Sequence, residues 1–413
     1  MRNIKLYPHQ VKALRVTENF NKCAYYLDMG LGKTFIGSEK LHELNAPHNL
    51  LICQKSKIDD WHKHFKTYYN YEVVKYNKSQ EIAEHSVVII NYDLIWRRPE
   101  LLNLENFTLM LDESSMIKNE KSERAKFILK MKAKNVILLS GTPTGGKYEQ
   151  LWSQCKLLGW KISKRLYWDQ FIKSVPLDIG GFKIKKVTGY KNVDRLKKKL
   201  HEHGAVFMKT DEVFELPEQI EQEIKITNTK EYKKFKKDRL LTIDGIELVG
   251  DTSLTKMLYL RQLASQYNKN KMTQLKDILE STEDRVIIFY NFNKELEIIK
   301  LLCEKLEKPI SIINGDFKNL DNFNKYSDSI TLVQYQAGAM GLNLQLSNKI
   351  IYFSLTLQSE LFEQSKKRIH RIGQEKTCFY WYLITENSIE EQIYQTLKER
   401  RDYTNKLFEE SDF

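Results

Sequence analysis

Residues 25–34 have the sequence YYLDMGLGKT, in which an apolar run leads into two glycines, a lysine and a threonine. This order predicts a β-strand, a tight loop and the start of a helix, which is the setting of a phosphate-binding loop. Gly30 and Gly32 let the loop turn its N–H groups toward an anion, because a β-carbon would obstruct the turn or the ligand. We expect Lys33 to reach the β- and γ-phosphates of a nucleotide and the Thr34 hydroxyl to bind Mg²⁺.

Two further strand ends carry polar residues. The apolar run 108–111 ends in Asp112 and Glu113, and the run 135–139 ends in SGTP, residues 140–143. Asp112 is expected to hold Mg²⁺ and Glu113 to deprotonate the attacking water, since phosphoryl transfer depends on positioning and charge neutralisation. Ligands bind at the carboxyl ends of strands in open α/β sheets, so the three segments should meet in one crevice.

Each segment alone has a plainer interpretation. Leu27 stands where the strict loop pattern has glycine, which leaves a chance glycine turn as the alternative. The acidic pair would usually be a solvated turn, and SGTP is a turn on any interpretation. Their order along one chain favours a nucleotide site.

Composition bounds the class of protein. The chain has 413 residues, of which 41% are hydrophobic, so it can bury two cores and wholesale disorder is excluded. Its net charge of +12 favours a polyanionic partner, nucleic acid before an anionic membrane surface. The 5 cysteines lack metal-ligand spacing, which predicts a reducing intracellular compartment and no structural zinc. No run approaches the roughly 18 apolar residues of a membrane span, so we expect a cytoplasmic protein.

Short apolar runs alternate with amphipathic stretches in two groups, which predicts parallel sheets with crossover helices and hence two tandem α/β lobes. The predicted strands are residues 23–27, 49–53, 87–90, 108–111 and 135–139 in the first half, and 285–290, 310–313, 330–334, 349–353 and 378–384 in the second.

Two basic segments stand out. Residues 161–200 hold twelve Lys or Arg against three acids, with aromatic residues interleaved, and are either a nucleic-acid contact or a solvated face. Residues 364–374, QSKKRIHRIGQ, place Arg368 and Arg371 three apart, which predicts one face of a helix. Such guanidinium groups can act as arginine fingers on the γ-phosphate, although a solvated basic face is the commoner outcome.

Taken together, the motifs resemble the Swi/Snf-type branch of the superfamily-two helicase-like ATPases. Matching segments follow in family order through nearly the whole chain, and HRIGQ at 370–374 is the most branch-specific. Besides those above, they are LYPHQ (6–10), LICQKSKIDDWHKHF (51–65), NY (91–92), IIFYNF (287–292) and AGAMGLNL (337–344). One departure is Ser114-Ser115, where the family has Ala or Gly followed by His.

The resemblance implies two tandem RecA-like lobes, with a helical insertion after the first lobe's motif III. Residues 1–225 would form the first lobe, with a basic helical protrusion around 150–210. Residues 226–270 would be a helical connector, and 271–413 the second lobe.

It also implies an ATP-dependent double-stranded DNA translocase that uses ATP and Mg²⁺, acts as a monomer and displaces DNA-bound proteins, in a bacterial cell or infected host cytoplasm. The alternatives are a strand-separating DNA or RNA helicase and a non-catalytic DNA-binding scaffold. Carried over from matching motifs, Gln10 would contact adenine, and Gly341 and Gln364 would complete the nucleotide site. The implied DNA contacts are Lys55, Ser56, Asn91, Tyr92, Asn291 and Gln336.

Overall fold

A computed structural model describes residues 4–179, 182–338 and 342–408. The chain divides into two compact units, one of residues 1–214 with 402–413 and the other of residues 215–401. Each unit contains its own parallel-stranded sheet flanked by helices, so the predicted pair of tandem α/β lobes is confirmed.

The described residues of the first unit form nine strands and seven α-helices. The strands are β1 (Lys22–Leu27), β2 (His48–Cys53), β3 (Glu72–Lys75), β4 (Ser86–Asn91), β5 (Phe107–Asp112), β6 (Asn135–Ser140), β7 (Ile172–Ile179), β8 (Phe182–Tyr190) and β9 (Ala205–Met208). The helices are α1 (Pro8–Val16), α2 (Lys33–Leu44), α3 (Ile58–Tyr68), α4 (Glu123–Ile128), α5 (Trp152–Leu157), α6 (Lys164–Phe171) and α7 (Val193–Glu202).

Seven strands form one sheet in the order β3-β4-β2-β5-β6-β1-β9, and every neighbouring pair is parallel. Successive side chains point to opposite faces, so the strands other than the edge strand β3 contribute to two cores. Tyr26 packs in one core with Leu50 and Leu109, whereas Tyr25 packs in the other with Leu51. Burial on both faces explains why these strands are nearly continuous apolar runs in the sequence.

Residues 172–190 differ from the predicted helical insertion. β7 and β8 pair as an antiparallel hairpin, with a register shift at Lys173/Ser174. The helices of the segment, α5, α6 and α7, lie before and after this hairpin. Basic residues dominate the segment's charge but do not distinguish helix from strand, and the alternation in IKSVPLDI and FKIKKVTGY is the strand signal that the prediction did not use.

In the second unit, nine strands and eight α-helices are formed by the residues that the structure describes. The strands are β10 (Gln219–Ile226), β11 (Leu240–Ile243), β12 (Ile246–Val249), β13 (Val286–Tyr290), β14 (Ile310–Ile313), β15 (Lys318–Asn319), β16 (Ile330–Gln334), β17 (Lys349–Tyr352) and β18 (Cys378–Thr385). The helices are α8 (Lys230–Asp238), α9 (Ser253–Ala264), α10 (Lys269–Glu280), α11 (Asn293–Lys305), α12 (Asp321–Lys325), α13 (Tyr335–Gly338), α14 (Ser359–Lys366) and α15 (Ile389–Phe408).

Its sheet has the order β10-β18-β17-β13-β16-β14-β15 and is parallel except for the β14–β15 pair. The predicted boundary at residue 225 falls inside β10, which pairs with β18 and so belongs to the second unit. Residues 226–270, predicted as a helical connector, lie within that unit and include the β11–β12 hairpin beside α8 and α9.

All five cysteines carry free thiols and are buried. Burial raises the pKa of the Cys23 thiol to about 12. None of the helices in the part of the chain that the structure describes has the length and apolar composition needed to cross a bilayer.

Candidate nucleotide site

The phosphate loop predicted from residues 25–34 connects β1 to α2, as expected. Gly30 and Gly32 have φ angles of +91° and +74°, in the left-handed region that favours glycine. Gly32 immediately precedes α2, so the loop leads directly into the free N–H groups of that helix's first turn. Thr34 lies in the same turn, which places its hydroxyl at the helix start.

Helix α1 closes one side of this loop. A β-carbon on Gly32 would lie 2.1 Å from Gln10 Nε2, so the Gln10 amide occupies the space a side chain would need. Gln10 Nε2 donates to the Leu31 carbonyl at 3.4 Å, and His9 Nε2 lies 3.0 Å from the same oxygen. Gln10 Oε1 accepts from the Tyr7 N–H at 2.9 Å. The structure therefore joins Gln10 to the loop, and its contact with adenine stays a prediction.

Lys33 is held across the loop. Its Nζ donates to the carbonyls of Leu27 at 2.8 Å and Asp28 at 3.1 Å, the last residue of β1 and the first of the loop. A β-carbon on Gly141 would lie 3.4 Å from the same Nζ, so the turn after β6 adjoins the lysine. The strand ends of β1 and β6 thus meet around one ammonium group, as the sequence predicted.

Asp112, the last residue of β5, accepts a hydrogen bond from Trp61 Nε1 of α3 through Oδ2 at 2.8 Å. Burial raises the pKa of the Asp112 carboxyl, while the Trp61 hydrogen bond and the charges of Lys33 and Lys57 lower it. Trp61 was part of a matched motif, but no role followed from the sequence because its partner lies 51 residues away. The structure assigns it the orientation of the carboxylate predicted to bind metal.

Glu113 has a left-handed backbone, with φ of +57°, although it is not glycine. Such strain costs on the order of 1–3 kcal/mol and needs support from neighbours. Tyr92 Oη donates to the Asp112 carbonyl at 2.9 Å and contacts the Glu113 carbonyl at 3.4 Å. Ser140 Oγ donates to Glu113 Oε2 at 3.3 Å. The Glu113 side chain is therefore directed toward the turn after β6, at the same edge as the phosphate loop.

This geometry corrects the role expected for Tyr92. The side chain is 1% exposed and its hydroxyl supports the acidic pair, so it is not available to a DNA backbone. Its neighbour Asn91 caps the following turn, accepting from the N–H groups of Asp93 and Leu94 through Oδ1. Lys55 and Ser56 begin a short 3₁₀ helix after β2 and are exposed, so they remain candidates for nucleic-acid contact.

A buried glutamine that sequence reasoning missed joins the three strand ends. Gln154 Oε1 accepts from Tyr26 Oη at 2.9 Å and from Ser114 Oγ at 2.8 Å, while its Nε2 donates to the Pro143 carbonyl at 2.9 Å. These partners come from β1, the segment after β5 and the turn after β6. Ser114, which departs from the resembled family's motif, is thus a hydrogen-bond donor in this network.

The donor chemistry fits a nucleotide-bound Mg²⁺. No cluster of three or more His, Cys, Asp or Glu is placed to hold a metal ion within residues 4–179, 182–338 and 342–408. Mg²⁺ usually takes only one or two protein ligands, completing its shell with water and phosphate oxygens. Asp112 and Thr34 offer a carboxylate and a hydroxyl, both hard oxygen donors of the kind this ion prefers.

In the second unit, the structure corrects the predicted arginine helix. Helix α14 ends at Lys366, so Arg368 and Arg371 lie in the turns beyond it and not on one helical face. Two side chains in these turns bond to carbonyl groups of other segments: His370 Nε2 lies 2.9 Å from the Pro217 carbonyl, and Gln374 Nε2 donates to the Ser347 carbonyl at 2.9 Å.

The two arginines are also not equivalent. Arg368 is 1% exposed and donates from Nη1 to the Leu342 carbonyl at 3.3 Å, while Arg371 is half-buried. Gln364 is half-buried on α14. Gly341, predicted to complete the nucleotide site, lies outside the described residues.

The predicted DNA contacts of the second unit share one cleft of about 250 Å³, lined by Asn291 and Gln336. Asn291 Nδ2 donates to Ser354 Oγ at 2.8 Å, whereas Gln336 is exposed. Arg261 of α9 also lines the cleft, with its guanidinium 5.1 Å from the Phe292 ring centre. The sequence did not mark Arg261 as a site residue, since it lies 30 residues before Asn291, whose cleft it lines.

Comparison with known proteins identifies the family. A model of the SNF2-related domain matches residues 13–283, more than half of the chain, and a model of the helicase conserved C-terminal domain matches residues 270–373. The chain belongs to the SNF2-related family, as the motifs indicated.

Its curated relatives are distant and mostly longer. An uncharacterized ATP-dependent helicase of Mycoplasma pneumoniae is 25% identical over 94% of this chain and 40% of its own length. The ISWI chromatin-remodeling complex ATPase ISW1 of Saccharomyces cerevisiae is 24% identical over 95% of this chain and 39% of its own. The chain thus spans about two fifths of these relatives. The SWI2/SNF2 ATPase core of Sulfolobus solfataricus, solved in complex with dsDNA, has a TM-score of 0.46 and 22% identity over 97% of this chain and 92% of that one.

Trp61 can be tested separately from the fold. We expect Trp61→Phe to raise the Mg²⁺ concentration for half-maximal ATP turnover by roughly tenfold, because loss of a partner that orients a metal ligand weakens metal binding by that order. The phenylalanine keeps a ring against Phe65, whose ring centre lies 5.8 Å away. Mg²⁺ titrations of turnover and of fluorescent ADP binding measure the effect. Trp96→Phe, at an exposed tryptophan, is the control, and an unchanged Mg²⁺ requirement in the Trp61 variant would contradict the role.

Proposed function

We propose that this protein is an ATP-dependent double-stranded DNA translocase, which hydrolyses ATP to ADP and phosphate and moves along DNA or remodels DNA–protein complexes. The observation that carries the proposal is the meeting of Lys33, Glu113 and Ser140 at the carboxyl ends of β1, β5 and β6. A lysine on a glycine loop beside a carboxylate base is what hydrolysis of a nucleoside triphosphate requires.

The residues of the first unit have distinct roles in this proposal. The N–H groups of the loop and of the first turn of α2 hold the phosphates, and Lys33 exchanges its carbonyl partners for phosphate oxygens. Thr34 and Asp112 would hold Mg²⁺, which when bound neutralises charge on the phosphate oxygens. Glu113 accepts the proton of the attacking water, and Ser140 fixes the direction of its carboxylate.

In the second unit we assign charge compensation in the transition state to Arg371. It keeps part of its surface exposed, whereas Arg368 is enclosed and donates to the Leu342 carbonyl. The guanidinium of Arg371 stays cationic at any physiological pH, although burial lowers its pKa. We therefore propose that Arg368 supports the segment around Leu342, while Gln364 and Gly341 stay proposed nucleotide contacts.

Double-stranded DNA is the proposed track. The support is the net charge of +12, the exposed Lys55 and Ser56 at the end of β2, and the cleft that joins Asn291 and Gln336 to Arg261. Backbone contacts of this kind are independent of base sequence and weaken with salt. A monomer is the proposed working unit, with DNA-bound proteins as its displacement targets.

The test is steady-state ATP turnover without nucleic acid and with duplex DNA, single-stranded DNA or structured RNA, in parallel with Lys33→Ala. We expect duplex DNA to stimulate turnover most, and Lys33→Ala to lose at least 100-fold, because the variant removes the cation that stabilises the transferred phosphoryl group. Stimulation mainly by single strands or RNA would favour a strand-separating helicase instead. No turnover under any condition would overturn the enzymatic assignment.

A further inference from the structure

The β7–β8 hairpin is not explained by the nucleotide site or by the core. On β7, Val175 and Leu177 are 45% and 37% exposed, and Ile184 on β8 is 47% exposed. Lys185 and Lys186 are exposed as well. Ile172, Val187 and Tyr190 pack against the core that contains Tyr26, but the outer part of the two strands is exposed. That part buries too little to be kept for stability alone, so it is a surface available to a partner.

The strand pairing of the hairpin places Lys185 and Lys186 on opposite faces. Pro176 pairs with Lys185 and Val175 pairs with Lys186, and cross-strand partners share a face. Lys185 and Lys186 therefore point to opposite faces of the ribbon. Lys186 shares its face with the exposed apolar side chains of Val175, Leu177 and Ile184.

The Lys185 face continues into a groove of about 530 Å³, lined also by Lys173 and Lys191. The register shift between Lys173 and Ser174 leaves Thr188 of β8 without a partner on β7, and Thr188 lines the groove beside Lys173 and Ser174. Trp168 of α6 forms one wall. The fold thus gathers three lysines from different positions along the chain around one open groove.

The electrostatics of this groove favour an anion. Asp169 is the acid that lines it, and its carboxylate lies 3.9 Å from Arg165 Nε. Within the described part of the chain, no carboxylate forms an ion pair with the three lysines Lys173, Lys185 and Lys191. Three like charges around a groove repel one another, and a polyanion relieves that repulsion while releasing its counterions.

We infer that this groove binds the sugar–phosphate backbone of duplex DNA and that the β7–β8 hairpin is an additional DNA-binding element. The inference rests on the proposed function for the identity of the polyanion. A two-stranded ribbon has the dimensions that a DNA groove admits, so the β7–β8 hairpin can follow the duplex while its lysines contact phosphates. Such contacts position the protein without selecting a sequence.

The experiment compares Lys173→Glu/Lys185→Glu with Lys186→Glu, a neighbour on the same strand but on the other face. Binding to a short fluorescent duplex is measured without nucleotide at several salt concentrations. We expect the double variant to bind about tenfold more weakly or worse, with the slope of log K against log salt reduced by about 2, since two phosphate contacts are lost. Lys186→Glu is expected to stay within about threefold of the wild type.

Turnover without nucleic acid and the circular dichroism spectrum should match the wild type, and Lys173→Gln/Lys185→Gln replaces the charge reversal if the latter does not fold. Wild-type affinity and salt slope in the double variant would overturn the inference, and so would an equal loss in Lys186→Glu. Loss of single-strand or RNA binding with intact duplex binding would overturn the duplex assignment. If duplex DNA fails to stimulate wild-type turnover but the groove variants still lose duplex binding, the proposed motor function is wrong, while the inference that the groove binds duplex DNA is supported.

Discussion

Replacing Glu113 with glutamine is expected to lower ATP turnover by about 100-fold or more, which is the usual contribution of a positioned general base. The amide keeps the size of the side chain and can still contact Ser140 Oγ, but it cannot accept the proton of the attacking water. Binding of fluorescent ATP should stay within about threefold of the wild type, since the loop and Lys33 are untouched. Single-turnover hydrolysis and equilibrium binding measure the two effects.

Glu123→Gln is the matched control, because Glu123 is an exposed residue of α4 whose carboxylate pairs with Lys126. Its turnover should equal that of the wild type. Ser140→Ala should fall between the two, because it removes the group that directs the Glu113 carboxylate and leaves the base itself. Turnover near the wild-type rate in Glu113→Gln would mean that another group accepts the proton.

Gly32→Ala is expected to weaken nucleotide binding by more than tenfold. The added β-carbon meets Gln10 Nε2 at 2.1 Å in a backbone with φ of +74°, which costs a residue other than glycine about 1–2 kcal/mol. Either the Gln10 amide must leave the loop or the loop must move from the phosphates. Titration with fluorescent ADP measures the loss, and thermal unfolding reports the smaller effect on stability.

Gly30→Ala provides the matched control for this collision. Its φ of +91° imposes comparable backbone strain, but no atom lies within 4 Å of its added β-carbon. The difference between the two variants therefore isolates the contact with Gln10. Adding Gln10→Ala to Gly32→Ala should recover part of the lost thermal stability, and equal affinities in Gly30→Ala and Gly32→Ala would show that the contact has no effect.

The parallel strands and the catalytic segments could be predicted because each is a local pattern. Strands buried on both faces are continuous apolar runs, and residues 25–34 carry their loop glycines in sequence. The convergence of residues after β1, β5 and β6 then followed from the rule that parallel strands end at one edge. The structure confirmed that Lys33, Gly141, Ser140 and Glu113 adjoin there.

The partners of these residues could not be predicted, because they depend on contacts between distant segments. Trp61 meets Asp112 across 51 residues, and Gln154 meets Tyr26 across 128. Tyr92 was expected to contact DNA because its motif matched a DNA-contacting one, and only the packing shows that its hydroxyl reaches the Asp112 carbonyl. A motif match thus located these residues but did not determine which way their side chains point.

Two errors in predicted secondary structure lie in segments rich in Lys and Arg, where the charged residues hid the spacing of the apolar ones. The spacing of Arg368 and Arg371 fits a helix, yet α14 ends at Lys366, and beyond it His370 and Gln374 bond to carbonyl groups of distant segments. In β7 and β8 the lysines suggested a solvated helical face. Long basic side chains are compatible with either structure, so their spacing alone does not decide between them.

The five buried thiols give this protein a practical property. Reaction with maleimides requires an accessible thiolate, and the enclosed cysteines have raised pKa values, as for Cys303 at about 12 and Cys378 at about 11. The native cysteines should therefore react little with maleimides at neutral pH. One cysteine introduced at an exposed position of each unit would carry a donor and an acceptor dye with no native cysteine removed. Distances between the two units could then be followed in solution through a cycle of nucleotide binding and release.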